Sequence, residues 1–151
     1  MTQRDALIKT LNDLTEVCKD GEYGFHLCAE HAKARDVKAS LEIRSEECRA
    51  SAIALQAQVA DLGGTPESGG TARGALHRGW VAIRSALARY DDLAMLEECE
   101  RGEDIAVARY ADALAKDLPV DMRALVEAQY QGVQRNHAKV KAMRDALRAA
   151  T

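Results

Sequence analysis

The chain has 151 residues, 24 acidic and 21 basic, with a net charge of −3. That length can bury one sizeable core without disulfides or metals as staples, and so mild a charge offers no basic stripe to nucleic acid or to an anionic membrane. No apolar run approaches the length of a membrane span, and Met1-Thr2-Gln3-Arg4-Asp5 lacks the pattern of a signal peptide, so the expectation is a cytoplasmic protein with one domain over residues 1–151.

The composition is rich in Ala, Leu, Glu, Arg and Lys and holds only two prolines, which favours helix throughout. The first amphipathic segment runs from about Asp5 to about Ala34, its stripe being Leu7, Leu11, Leu14, Cys18, Phe25 and Ala29. Gly21 and Gly24 fall inside it, each costing about 1 kcal/mol relative to alanine. Glycines tolerated there point to a close helix contact or a local distortion beside Glu22. The second segment starts after Asp36, read as its N-cap, carries Val37, Leu41, Cys48, Leu55 and Leu62, and stops at Gly63-Gly64. The short turn between the two predicts an antiparallel hairpin.

A run dense in turn formers follows, from Gly63 to Gly70. A shorter helix is expected from about Ala72 to Arg89 with Leu76, Trp80, Ile83 and Leu87, in which Trp80 either anchors the helix across the bundle or forms a partner-binding patch with its neighbours. Asp91 or Asp92 can cap the third long helix, whose stripe reads Leu93, Leu96, Glu100, Glu103, Val107, Tyr110 and Leu114 and which ends before Pro119. The last helix runs from about Asp121 to Ala149 with Leu125, Val126, Val133, His137, Val140 and Leu147 inward. Two tight hairpins joined by one long crossover with its own short helix form an all-α, ferritin-like four-helix bundle. The competing architecture is an extended helical array, but the hairpins match each other and no shorter repeat is present.

The match between the hairpins is most visible in Cys18-Lys-Asp-Gly21-Glu22 and Cys99-Glu-Arg-Gly102-Glu103. Each places a glutamate on the apolar stripe, where a carboxylate is costly to bury. Counting outward from each turn at about 1.5 Å per residue puts Glu22, Glu47, Glu103, Gln134 and His137 at similar heights, so one polar layer can contain them. A di-iron carboxylate centre asks for a glutamate from each of two helices and a Glu-x-x-His from each of the others, and carboxylate with imidazole suits iron or manganese. Here Glu22, Glu47, Glu103 and His137 are the candidate metal ligands. The second-helix motifs are broken: Glu47-Cys-Arg-Ala50 has no histidine, and Gln134-Arg-Asn-His137 has no glutamate. The plain alternative is that these carboxylates pair with Arg44, Arg49 or Arg144, and that His137 is a hydrogen-bonded core histidine. Cys18, Cys28, Cys48 and Cys99 lack CxxC spacing and read as small buried hydrophobes in a reducing compartment. His26 and His31 flank the first stripe and read as surface.

Several runs carry a resemblance: Leu11-Asn12-Asp13-Leu14, Lys19-Asp20-Gly21-Glu22, Leu62-Gly63-Gly64, Gly74-Ala75-Leu76-His77-Arg78-Gly79-Trp80, and Leu96-Glu97-Glu98-Cys99-Glu100-Arg101-Gly102-Glu103-Asp104. Together they resemble a bacterial family of ferritin-like four-helix-bundle proteins of unknown function, related more distantly to rubrerythrins and to stress-associated ferritin-like proteins. The resemblance covers essentially the whole chain. It implies that Glu103, seven residues before Tyr110, stands where rubrerythrin-like relatives have an iron ligand, and that Glu22 corresponds to the first-helix ligand. The broken motifs argue against oxidase or peroxidase chemistry. Two readings follow. One is a non-catalytic, homo-oligomeric bundle with a degenerate di-metal site and an interaction or stress-related role. The other is an iron- or manganese-binding protein with oxygen or peroxide chemistry.

Overall fold

A computed structural model describes residues 2–68 and 91–150. They form α1 (Gln3–His31), α2 (Arg35–Asp61), α3 (Asp92–Leu114) and α4 (Val120–Ala149). No strand occurs among the described residues. α1 and α2 form one antiparallel hairpin across Ala32–Ala34, and α3 and α4 form the other across Ala115–Pro119. No helix among the described residues is long and apolar enough to cross a membrane. The expected crossover helix with Trp80 and His77 lies outside the described residues.

The helix ends show how local and distant residues share the capping. α1 opens with a capping box, Thr2 accepting from the Asp5 N–H at 3.1 Å and Asp5 accepting from the Thr2 N–H at 3.2 Å. α2 closes in a Schellman turn. The Gly64 N–H reaches the Val59 carbonyl at 3.0 Å, and the Gly63 N–H reaches that of Ala60 at 2.9 Å. Gly63 takes φ +80°, the left-handed region glycine enters without penalty. Arg4 then donates to the Leu62 carbonyl at 2.8 Å.

The start of α2 corrects the expected Asp36 cap. The helix begins at Arg35, its N-cap Ala34 has no capping side chain, and Asp36 sits in the first turn. The cap comes from α3 instead: the Asp92 carboxylate accepts from the N–H groups of Lys33 and Ala34 at 2.9 and 3.0 Å. Asp91 caps α3, accepting from the Leu93 N–H at 3.0 Å. At the far end of α3, Arg123 donates to the carbonyls of Leu114 and Lys116 at 2.9 and 2.6 Å.

The apolar stripes meet in two clusters. One gathers Phe25, Cys28, Leu41, Met95, Leu96 and Val140. The other gathers Leu11, Leu14, Leu55, Val59, Tyr110 and Val126. Each fully buried large side chain contributes about 1.5–3 kcal/mol. Between the clusters, at the level of Gly21 on α1, the buried residues of the other helices turn polar: Arg44 on α2, Glu103 on α3 and Asn136 on α4.

Candidate functional site

The polar level is built from Arg44 on α2, Glu103 on α3 and Asn136 on α4, each delivered by the helical repeat. Glu103 falls on the α3 stripe between Cys99 and Ala106 and is 2% exposed. Arg44 occupies the α2 stripe between Leu41 and Cys48 and is also buried. Its Nε donates to Glu103 Oε1 at 3.3 Å. Its guanidinium lies 6.0 Å from the centre of the Phe25 ring, within reach of a cation–π contact, and Nη1 stands 3.7 Å from Glu47 at the rim. Glu103 Oε2 and Asn136 Nδ2 are buried without a hydrogen-bond partner.

Electrostatics at this centre are dominated by desolvation. Burial pushes the Glu103 carboxyl up to about 7, although Arg44, His137 and Asn136 all pull it down. Burial likewise raises the Cys18 thiol to about 11, against its hydrogen bond with Tyr110 and the charge of Arg44. Cys48 and Tyr110 are held well above their ordinary values, burial again being the leading cause. The thiols are therefore protonated at neutral pH and poor nucleophiles.

A small cavity of about 20 Å³, room for one water molecule, opens among Cys18, Gly21, Arg44, Cys48, Glu103 and Tyr110. A relay leads away from it. Cys18 Sγ lies 3.1 Å from the Tyr110 hydroxyl, which donates to Gln129 Oε1 at 2.8 Å, and Gln129 Nε2 donates to the Ser51 carbonyl at 3.2 Å. All four cysteines are free thiols in the core.

Of the four candidate ligands, only Glu103 is in this centre. Glu22 is turned outward, its side chain 31% exposed and 3.6 Å from Lys19. Glu47 is 47% exposed at the mouth of the α2–α4 groove. His137, 28% exposed, is held by Asp104 at 2.6 Å. Gln134 is exposed, and the buried residue of that turn is Asn136. Glu47 stands beside Arg44 and His137 beside Asp104, yet neither side chain enters the centre: one helical position is 100°, enough to take a side chain from core to rim. Arg44 was legible only as one of three cations able to pair with a glutamate, and Asn136 carried no signal of its own.

This donor set does not fit a central metal pair. One carboxylate remains, and a metal ion there would stand against a buried guanidinium, where like charges repel strongly. Among the described residues, the His and carboxylate side chains that gather within 4.8 Å of one another are elsewhere: Glu100, Asp104 and His137.

Fold and centre together define a ferritin-like four-helix bundle whose polar layer contains the buried Arg44–Glu103 pair. The chain belongs to the family described as "Domain of unknown function (DUF2383)", which matches residues 6–116. Among solved structures, a mutant of Mycobacterium smegmatis Dps1 superimposes with a TM-score of 0.77 over 95% of this chain and 99% of that one. The identity is 13%, so the likeness is one of fold. No curated protein matches the sequence.

Proposed function

We propose that this protein is a non-catalytic ferritin-like bundle that works through its outer helix faces as a homo-oligomer in bacterial stress physiology, the Arg44–Glu103 pair taking the place of a central metal pair. The observation carrying this reading is the buried contact of the Arg44 guanidinium with Glu103. It answers the glutamate's charge from within the chain, as a metal ion would otherwise do. The raised thiols of Cys18 and Cys48 make these two cysteines poor nucleophiles. Ile43 and Ile53, both exposed on α2, support contact through that helix.

Light scattering on the purified chain is the first check: a defined oligomer is expected, reduced to monomer by Ile43→Glu combined with Ile53→Glu. A monomeric wild type would overturn the oligomer. The second check is iron and manganese content after growth with both metals, together with aerobic ferrous uptake.

The other reading is iron or manganese held by Glu22, Glu47, Glu103 and His137 with oxygen or peroxide chemistry. The unpartnered Glu103 Oε2 is the observation on its side, while Glu22, Glu47 and His137 stand outside the centre. Metal lost in Glu103→Ala but kept in Glu100→Gln would establish it and overturn the first.

A further inference from the structure

A different set of side chains meets off the bundle axis, in the seam between α3 and α4. Glu100 and Asp104 stand one turn apart on α3, and His137 reaches them from α4. One ligand atom from each lies within 4.8 Å of the other two. Three ligands around one ion at about 2.0–2.2 Å have their donor atoms no more than about 4.4 Å apart, so small side-chain rotations suffice.

The surroundings carry both signs of charge, carboxylates on α3 and Arg144 on α4. Glu103, one position before Asp104, is buried with Oε2 unpartnered. The turn thus carries three carboxylates, and His137 lies near enough to Glu103 to influence its carboxyl. Arg144 now holds Glu100. It also donates to Asp145 at 3.0 Å and can remain there when Glu100 is taken. Glu100 and His137 are partly buried, and Asp104 is exposed.

We propose that Glu100, Asp104 and His137 form a mononuclear site for a divalent first-row transition-metal cation. Two carboxylate oxygens and an imidazole nitrogen suit the range from manganese to zinc. Three protein ligands leave at least one position for water. The site differs from the central one in every ligand except His137, and it stands independently of whether the centre is metal-free.

The test uses the full chain, with Zn²⁺ titrated by calorimetry and Mn²⁺ followed by electron paramagnetic resonance. One equivalent is expected to bind. Asp104→Asn and His137→Ala should each weaken binding by at least about tenfold, since changes even to second-sphere partners cost about 10–100-fold. Arg144→Gln should tighten it by removing the cation that competes for Glu100. Circular dichroism on each variant verifies that the bundle is intact, and Asp104, being exposed, can be replaced by its isostere without touching the core. Absence of saturable binding at millimolar metal would overturn the site. So would binding indifferent to Asp104→Asn and His137→Ala. Binding abolished by Glu103→Gln yet untouched by Glu100→Gln would move the ion to the centre and equally overturn it.

Discussion

The two hairpins carry the same Cys-x-x-Gly-Glu element and use it in opposite ways. In the α3–α4 hairpin the glutamate is inside: Glu103 is buried and Gly102 lies nearer the surface. In the α1–α2 hairpin the glycine is inside: a Cβ on Gly21 would stand 2.9 Å from Cys48 Sγ, and Glu22 is displaced toward solvent and Lys19. Close packing of α1 on α2 through Gly21 turns Glu22 away from the layer, the buried carboxylate of α1 being Asp20 instead, and α2 sends Arg44 into the layer. A duplicated motif has thus become a complementary pair, a cation from one hairpin and an anion from the other. Local identity of sequence does not ensure identity of environment when the partner helices differ.

The sharpest way to break this complementarity is Arg44→Met, which leaves Glu103 buried and alone. Removing one partner of a buried pair costs roughly 3–5 kcal/mol, measured by chemical denaturation at pH 8, where Glu103 is ionised. Arg44→Met combined with Glu103→Leu should recover most of the loss, because an apolar layer needs no charge balance. A double variant as unstable as the single one would show that the cost lies in packing.

Next in size is the effect of pH. An acid whose folded value is raised from 4.5 to about 7 makes the folded state bind more protons than the unfolded one between those values. Stability therefore falls as pH rises through that window and levels off above it, by at most about 3 kcal/mol. Glu103→Gln should flatten this part of the profile, whereas Glu22→Gln should leave it in place. A wild-type profile rising from pH 5 to 7 would contradict a buried Glu103 with a raised value.

Gly21→Ala tests the other half of the comparison. Helix propensity favours alanine by about 1 kcal/mol, but the new methyl would press on Cys48 Sγ, and overpacking costs about 1–3 kcal/mol. A modest net loss is expected, reversed by adding Cys48→Ala. The smallest effect belongs to Glu22→Gln, within about 0.5 kcal/mol of wild type in thermal unfolding, in contrast to its counterpart Glu103.

Much of the fold was legible. The 3.6-residue stripes located all four long helices, and Gly63-Gly64 and Pro119 marked where two of them stop or start. The burial of the four cysteines also followed from their place on the stripes. The level of the polar layer could be counted from the turns because rise per residue is constant. Of its occupants, Glu103 was found, but Glu22, Glu47 and His137 were not separated from it. Position along a helix accumulates slowly and tolerates an error of one residue, whereas direction around the axis changes by 100° for the same error.

The amino-acid order alone thus determined four amphipathic helices, their pairing into hairpins and the height of a polar layer, all consequences of local periodicity and short connections. Tertiary packing decided what lies at that height. Gly21 against Cys48 set the rotation of α1, Asp92 reached across to cap α2, and Arg44 met Glu103. These are contacts between residues far apart in the chain. They depend on how whole helices rotate against one another, which no local periodicity records.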